Sequence, residues 1–508
     1  MSLSISHSDS FSLMEQLPIL QILVPFVSAP LIVFIGNRKV AWWIAFIASL
    51  ISLLIAINLL LLVNDGSIIS YHIGGWAPPI GIEYRVDALN AFVLVLITLI
   101  SSIVVPYAYQ SIESEIPEQH HTLFYAAYLL CVTGLMGVVI TGDVFNVFVF
   151  LEISSLASYV LISLGSHRDK RALTSAFNYL IIGTIGATFF VIGIGLLYMV
   201  TGTLNMVDMA ELLEGKSSSS TVRSAFAFIV VGVGLKLAIY PLHIWLPKAY
   251  TFAPSVITAF LAATATKVAI YILIRFMFTI FRPSFLEELN VLDLVILPLS
   301  IAAMIIASLI AVFQKDFKGL LAYSSIAQVG YILLGISLMS ERGLTAAIIH
   351  IFNHGITKVA LFMVAGAYVI KRGGSLLTDL QGAGFTMPWT SAATVIGCLS
   401  LIGIPGTAGF ISKWILVEAA IENGKWPLAI IIIFSSLLAV IYCWRVIETL
   451  YFKNGDSKII INEAPLSMLI SIWIASLACI YFGFNTDTTI SISDLAAKML
   501  YLTSLNSY

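Results

Sequence analysis

The feature that most constrains this chain is a series of apolar runs, each about 20 residues long, that recurs from Leu17 almost to Phe484. The hydrocarbon core of a bilayer is about 30 Å thick, and an α-helix needs roughly 20 apolar residues to cross it. Only 10% of the 508 residues are charged, against roughly 25% in an ordinary soluble domain. The pattern excludes a soluble fold and predicts an all-α polytopic membrane protein.

Breaks at Gly, Pro and charge clusters divide this series into about fourteen predicted transmembrane helices. They span residues 17–36, 41–63, 86–109, 121–140, 144–165, 175–200, 222–241, 254–280, 291–313, 319–340, 344–370, 389–421, 426–450 and 464–484. No polar domain interrupts them, so residues 1–508 are predicted to form a single transmembrane domain. The segment 1–16 is polar and lacks a basic region, so the run from Leu17 is interpreted as a retained first helix rather than a signal peptide.

Lysine and arginine indicate how the chain is oriented in the membrane. Loops after odd-numbered predicted helices carry Arg38, Lys39, Arg168, Lys170, Arg171, Lys248, Lys315, Lys318, Lys371, Arg372, Lys453 and Lys458. Loops after even-numbered helices carry fewer, chiefly Arg85, Lys216, Arg223, Arg282, Arg342 and Lys425. By the positive-inside rule, both termini are expected on the outer side of a cell (inner) membrane. The near-neutral charge of −2 gives no reason to expect a nucleic-acid partner.

The seventh and twelfth predicted helices look interrupted at corresponding places in the two halves of the chain. The seventh contains Pro241 and the twelfth contains Pro405 and Gly406. Paired interrupted helices are typical of inverted-repeat transporters whose ion path lies at mid-membrane. The alternative is that Pro and Gly are simply common in membrane helices.

Charged residues at the centres of predicted helices carry the functional signal. A lysine or carboxylate there costs roughly 2.5 to 3.5 kcal/mol, so it needs a partner, a water-filled cavity or a function. The deep charges are Glu152, Lys236, Lys267, Lys358 and Lys413. Such groups can take up and release protons, and Glu152 opposite Lys236 is the favoured pair. The alternative for each is an ion pair that only joins helices, or a lysine that reaches the interface.

A second candidate is the stripe of His350, His354 and Lys358, which share one face of the eleventh predicted helix at spacing i, i+4, i+8. Histidine titrates near neutrality and can relay a proton through either ring nitrogen, so the stripe predicts a proton relay. His243, just after Pro241, is a candidate to extend it. A metal site is not expected, because no Asp, Glu or Cys completes a ligand set.

The remaining polar residues are given lesser roles. Serine and threonine residues beside the deep charges are expected at most to support them, and could equally bond their own helix backbone; they are Ser154, Ser155, Ser158, Thr264 and Thr266. A group of acids and histidines is interpreted as a solvated loop, namely Glu113, Glu115, Glu118, His120 and His121.

Cysteines and enzyme motifs give no sign of redox or hydrolytic chemistry. The four cysteines lack metal-ligand spacing and are predicted to be packing thiols, namely Cys131, Cys398, Cys443 and Cys479. Dinucleotide, P-loop, zinc-protease and iron–sulfur motifs are absent. The chain itself is therefore expected to be no enzyme and to hold no cofactor.

The motifs together resemble the antiporter-like subunits shared by Mrp-type sodium/proton antiporters, respiratory complex I and related membrane hydrogenases. The resemblance covers nearly the whole chain. It is carried by GGWAPPIGIEYRVDALNAF (74–92), TGDVFNVFVFLEISSLASYVLISLG (141–165), LKLAIYPLHIWLPKAY (235–250), KDFKGLLAYSSIAQVGYILLG (315–335), HIFNHGITKVALF (350–362) and GIPGTAGFISKW (403–414).

This resemblance implies fourteen helices, two inverted five-helix repeats, and a proton path along the membrane plane through Glu152, Lys236, Lys267 and Lys413. One departure is Gly319, where the family often has a second basic residue; the loop is peripheral, so little consequence is expected. Within the family, segment 74–92 is most similar to the D-type subunit of Mrp antiporters, with the M-type and N-type subunits of complex I as the alternative.

The leading hypothesis is therefore a proton- and cation-translocating subunit of a multi-subunit sodium/proton antiporter. Its expected partners are other membrane subunits, the lipid bilayer, protons, and sodium or potassium. The alternative is a proton-pumping membrane-arm subunit of a complex I-type NADH-quinone oxidoreductase or related hydrogenase, which does no redox chemistry itself. A self-sufficient transporter is a third interpretation, but it would need more than one deep carboxylate.

Overall fold

A computed structural model describes residues 14–453 and 462–505 of the chain. The polar segment 1–13 and Lys458 lie outside these residues. The helices that build the bundle are α1 (Leu17–Ile35), α2 (Arg38–Leu62), α3 (Ala88–Glu115), α4 (His121–Ile140), α5 (Val144–Ser163), α6 (Arg171–Thr201), α7 (Ser220–Leu237), α8 (Trp245–Phe252), α9 (Ser255–Ile280), α10 (Leu292–Phe313), α11 (Phe317–Ser337), α12 (Glu341–Arg372), α13 (Pro388–Ile402), α14 (Ala408–Glu422), α15 (Trp426–Tyr451), α16 (Leu466–Phe484) and α17 (Asp487–Leu505).

Thirteen helices among the described residues are long and apolar enough to cross a membrane. These helices differ widely in burial: the apolar stretch of α12 is 100% buried, whereas that of α1 is only 33% buried. The outer helices expose leucine, isoleucine, valine and phenylalanine, as lipid-facing surfaces do. The central position therefore belongs to α12, and the predicted polytopic helical bundle is confirmed.

The two interruptions predicted from proline and glycine are present. Helix α7 ends at Leu237 and α8 begins at Trp245, so Pro241 lies in the break. Helix α13 ends and α14 begins on either side of 403–407, which contains Pro405 and Gly406. The predicted twelfth helix, 389–421, is thus two helices of 15 residues each, which is why the fourteen predicted helices become thirteen long helices and this pair.

Side chains hold the backbone groups that the two breaks release. At the first break the chain turns through Ala238, whose φ is +60°, and Trp245 Nε1 donates to the carbonyl of Leu235 at 2.9 Å. At the second it turns through Gly403, whose φ of +89° favours glycine. Lys413 Nζ donates there to the last carbonyls of α13. Such carbonyls lack a partner within their own helix, so each break is stabilised by a specific donor.

A small sheet departs from the all-α prediction. Strands β1 (Ile69–His72) and β2 (Glu83–Val86) pair in antiparallel register. They lie beside the start of α5, because Tyr84 bridges Thr141. We call the end of the bundle that carries β1, β2 and α17 the hairpin face. The other end, which carries Glu115 and residues 164–170 and 373–387, is the opposite face.

Helix α17 was not predicted from the sequence, because it is too polar to be recognised as a membrane span. It packs against α3 and α12 on the hairpin face. Lys498 Nζ lies 3.9 Å from a carboxylate oxygen of Glu341, the first residue of α12. The chain beyond the last span is therefore a structured cover over this end of the bundle.

The prediction of a solvated loop at 113–121 was wrong for two of its residues. Glu115 and His121 are 3% and 2% exposed, and Glu115 is the last residue of α3. Its Oε2 accepts from the backbone N–H of Ser255 at 2.8 Å. A carboxylate is stabilised at a helix N-terminus, so Glu115 is buried as the cap of α9.

Candidate functional site

An ion pair inside the helical bundle joins the middle of α5 to the end of α7, near the first helix break. Lys236 Nζ donates to Ser155 Oγ at 2.6 Å, to Tyr159 OH at 3.3 Å and to Glu152 Oε1 at 3.4 Å. Lys236 is 7% exposed, whereas the side chain of Glu152 keeps 23% exposure. The structure brings together the two charges that the sequence singled out.

Helix α6 closes the pocket around this pair. Tyr179 stacks on Trp245 with ring centroids 4.0 Å apart, and it meets Tyr159 edge-on at 4.8 Å. A Cβ atom at Gly183 would lie 2.0 Å from Tyr159 OH and 3.3 Å from Lys236 Nζ. The absence of a side chain at Gly183 therefore leaves room for the phenol that holds Lys236.

Lys267 lies inside α9 and is 1% exposed. Its Nζ donates to the Ala262 carbonyl at 2.5 Å and to Thr266 Oγ1 at 3.3 Å, and within the described residues it has no ion-pair partner. Helices α9 and α12 approach closely here, since a Cβ atom at Gly355 would lie 3.2 Å from the Ala263 carbonyl. Lys267 is thus bonded only to neutral groups, at the contact with the central helix.

The predicted stripe on the eleventh helix lies on α12 and is fully enclosed. Lys358 is 0% exposed, and its Nζ donates to Ser324 Oγ at 2.5 Å and to the Leu321 carbonyl at 2.8 Å, both on α11. The His350 and His354 rings are parallel within 12°, with centroids 5.9 Å apart. The stripe therefore runs through the core against α11.

The two histidines differ in their hydrogen bonding. His350 uses both ring nitrogens, with Ser412 Oγ at 2.7 Å and Gln328 Oε1 at 2.8 Å. In His354 neither ring nitrogen has a hydrogen-bond partner among the described residues, although the residue is only 3% exposed. A buried polar group without a partner is costly, so His354 marks a place where a bound water fits a chemical need.

Lys413, at the second break, contacts no carboxylate within the described part of the chain. Its Nζ donates to the carbonyls of Ile402 at 2.8 Å and Leu401 at 3.1 Å, and to Ser436 Oγ at 3.3 Å. It also lies 4.7 Å from the centre of the Tyr331 ring. These carbonyls form the C-terminal end of α13, where the helix dipole favours a cation.

The supporting residues divide clearly. Ser155 and Thr266 contact the lysines, whereas Ser154, Ser158 and Thr264 donate to carbonyls of their own helices. All four cysteines are buried free thiols.

The prediction that His243 extends the α12 stripe stays a prediction. It stacks on Tyr240 with ring centroids 5.2 Å apart. Its Nδ1 has no hydrogen-bond partner among the described residues. The structure therefore leaves His243 at the first break, without a bond to the stripe.

Comparison with known proteins gives these buried charges a family. Residues 141–439 match the family described as NADH:quinone oxidoreductase/Mrp antiporter, TM. The chain belongs to this family. It is similar to NADH-quinone oxidoreductase subunit N of Desulforudis audaxviator, with 38% identity over 83% of this chain and 85% of that one. It is also similar to the D-type Na(+)/H(+) antiporter subunit of Alkalihalophilus pseudofirmus, with 33% identity over 88% of each chain.

A solved structure shows the same fold. The Mrp complex from Dietzia sp. DQ12-45-1b contains a chain that is 26% identical, with a TM-score of 0.88 over 96% of this chain and 98% of that one. This member of the NADH:quinone oxidoreductase/Mrp antiporter family is therefore a multi-pass membrane protein whose fold is that of a subunit in a multi-subunit complex.

The structure of this family member adds a buried ion pair that the sequence analysis missed. Arg275 Nη2 donates to Asp87 Oδ1 at 2.5 Å, and Arg275 Nε donates to Tyr271 OH at 3.0 Å. Burial raises the pKa of the Asp87 carboxyl, but Arg275 and the Asn90 N–H lower it, and the net shift is downward. Asp87 thus stays ionised.

Two sequence signals could have revealed this pair. Asp87 directly precedes an apolar run and has Asn90 three residues later, which is the spacing of a helix cap. Arg275 follows Lys267 by eight residues, on the same helical stripe. Both residues lie near the ends of predicted helices, where charged side chains are common, so neither position alone indicates a buried ion pair.

Proposed function

We propose that this chain translocates protons, coupled to a monovalent cation, as one subunit of a multi-subunit sodium/proton antiporter. The observation that carries the proposal is the contact between Lys236 and Glu152 at a helix break inside the membrane, 3.4 Å apart. Ionisable residues within spanning segments are expensive and commonly mark ion paths. The named relatives and the Mrp complex of like fold support this interpretation.

The pair has the chemistry of a proton donor whose strength depends on its geometry. While Glu152 is close, its negative charge favours the ammonium form of Lys236. When the two separate, that stabilisation is lost, and Lys236 becomes a better donor to the next site. The break at 238–244 supplies a place where the chain can bend, since broken helices absorb such changes.

The onward route passes through groups that the bundle encloses. We infer that it runs from Lys236 to Lys267 on α9, along Lys358 and His350 on α12, and to Lys413 beside the second break. The support is that α9, α11 and α14 each pack against α12, so the helices that carry Lys267 and Lys413 both adjoin the helix that carries Lys358 and His350. Waters at partnerless groups such as His354 complete the relay.

We further propose that the two halves, each with one broken helix, are inverted repeats, and that both termini lie on the outer side of the cell membrane. The lysine and arginine bias of the loops on the opposite face supports that orientation. The partial exposure of Glu152 at mid-membrane supports a neighbouring membrane subunit on that flank, because an ionised carboxylate is costly in lipid.

The test is cation-dependent proton flux in inverted vesicles from a strain that lacks its own sodium/proton antiporters and expresses the full operon. We expect sodium- or potassium-dependent flux from the native complex, and its loss in Glu152→Ala and Lys236→Ala. Lys248→Ala is the matched control, since Lys248 is an exposed lysine on α8. Absence of flux in the native complex, or unchanged flux in both core variants, would remove the proposal.

A second candidate is a proton-pumping subunit of an NADH-quinone oxidoreductase, favoured by the relative named subunit N at 38% identity. In that case this chain would still carry only protons and leave the redox chemistry to partner subunits. Proton flux driven by NADH and quinone, and indifferent to sodium and potassium, would select this alternative.

A further inference from the structure

A charged cavity of about 190 Å³ lies at the hairpin face. Its lining includes the ion pair of Asp87 and Arg275, and also Arg282. Residues Ala496 and Leu500 of α17 cover it. The cavity thus reaches from the C-terminal cover inward to the end of α9.

The inner wall of this cavity is a fixed guanidinium. Arg275 is 7% exposed, donates to both Asp87 and Tyr271, and lies 5.3 Å from the centre of the Tyr271 ring. Tyr271 is itself held, because its hydroxyl donates to the Val139 carbonyl at 2.8 Å. Asp87 also accepts from the Asn90 N–H at 3.1 Å. Both partners of Arg275 are therefore held in place themselves, Tyr271 by a bond to α4 and Asp87 by its bond as the cap of α3.

Lys267 lies on the same stripe, deeper in the membrane. Residues 267, 271 and 275 follow at spacing i, i+4, i+8, which places Tyr271 and Arg275 between Lys267 and the cavity. Arginine stays protonated in proteins, so it cannot accept and pass on a proton as histidine or lysine can. A fixed arginine in a narrow passage also repels cations and protons.

Access from the other end of the bundle differs. A cavity of about 570 Å³ at the opposite face is lined by Lys318, three residues before Leu321, whose carbonyl accepts from Lys358. No such clamped arginine separates Lys318 from Lys358 along α11. The opposite-face cavity thus meets a buried lysine, which can accept and pass on a proton, whereas the hairpin-face cavity meets a buried arginine, which cannot.

We propose that Arg275, clamped by Asp87 and Tyr271, seals the hairpin-face cavity and denies protons a route between that cavity and Lys267. This inference rests on the proposed proton-translocating function. Its role in exchange is to prevent a leak: a proton on Lys267 cannot cross to the hairpin face without completing the cycle. Asp87 and Tyr271 are positioning residues that keep the guanidinium in place.

The test measures passive proton flux into liposomes that contain the assembled complex. An acid pulse is applied in choline medium with a permeant anion, without sodium or potassium, so exchange is not required. We expect little flux in the native complex and about tenfold more in Arg275→Gln, where the Asp87 carboxylate is left uncompensated, since one unit of charge about 12 Å from Lys267 at a dielectric of about 20 is worth that factor. The double variant Arg275→Gln/Asp87→Asn leaves no unpaired carboxylate and assembles more readily. It lacks the guanidinium without a change in net charge, so it should leak less than Arg275→Gln and clearly more than the native complex.

The control is Arg282→Gln, which removes a like charge from the lining of the same cavity, where Arg282 pairs with the half-exposed Glu214; its flux should match the native complex. Adding Lys267→Gln to the double variant should abolish the leak. An assembled double variant that stays tight, or a leak that persists without Lys267, would overturn the inference. A native complex without cation exchange would instead contradict the proposed function. The leak assay would still test the role of Arg275, because it does not require exchange.

Discussion

The two helix breaks each place a lysine inside the membrane, but they neutralise its charge in different ways. Lys236 contacts a carboxylate, Glu152, on another helix. Lys413 contacts the carbonyls of Leu401 and Ile402 at the end of the helix that precedes its own. The first neutralising charge can itself bind a proton, whereas the second is part of the backbone and cannot.

Two helix breaks of similar geometry can therefore differ in whether protonation of a neighbouring group changes the charge around the lysine. At the first break the electrostatic environment changes when Glu152 moves or is protonated. At the second, the dipole of α13 is permanent, so only movement of the chain can change how strongly Lys413 holds its proton. The first break is therefore the switchable one of the two.

The largest expected effect tests that contrast directly. Lys236→Met leaves Glu152 without its partner, which costs about 3 kcal/mol, the lower end for a broken buried pair, because Glu152 is partly exposed. Lys413→Met leaves only neutral acceptors without a donor, namely two carbonyls and the Ser436 hydroxyl, and should cost about 1 to 2 kcal/mol. Heat-induced loss of the assembled complex measures the ranking, and both variants should lose exchange.

A matched double variant sharpens the same comparison. Adding Glu152→Gln to Lys236→Met should restore most of the stability and none of the exchange, since no buried charge is then unpaired. Equal stability losses in the two single lysine variants, or no recovery in the double, would show that the breaks are alike after all.

A smaller effect is expected from crowding the first break without touching a charge. Gly183→Ala places a methyl group 2.0 Å from Tyr159 OH and should displace that phenol from Lys236, at a cost of about 2 kcal/mol. Exchange should fall while the complex still assembles. Gly195→Ala on the same helix meets nothing within 4 Å, so identical flux in the two variants would count against a role for Tyr159.

The smallest effect concerns a single hydroxyl. Ser155→Ala removes the shortest hydrogen bond of Lys236, 2.6 Å. The loss should destabilise the observed position of the Lys236 ammonium by about 1 kcal/mol, which we expect to see as a few-fold change in exchange rate. Ser154→Ala is the control, because Ser154 and Ser155 both donate to the Leu151 carbonyl but only Ser155 contacts the lysine. Equal exchange rates in the two variants would show that Ser155 only bonds its own helix and does not support Lys236.

The parts of the molecule that could be predicted are those in which lipid imposes a strong penalty. A deep lysine needs compensation, and Glu152 was the one deep carboxylate available, so their pairing could be inferred from the sequence. The breaks at Pro241 and Pro405 followed in the same way, because proline removes a backbone donor.

The parts that could not be predicted depend on groups that leave no mark in a sequence. The acceptors of Lys413 are main-chain carbonyls, which every residue has. Glu115 resembles a loop acid until the start of α9 is known to lie against it. The pairing of Asp87 with Arg275 joins positions 188 residues apart near helix ends, where charges are ordinary.

Helix α17 has a consequence for biogenesis. Helix α17 follows the described membrane spans along the chain and covers the hairpin face, so those spans leave the ribosome before the cavity around Arg275 has its cover. A nascent chain stalled after Phe484 would hold all its spans with that end uncovered. The hairpin face is thus covered only after the described spans have been synthesised.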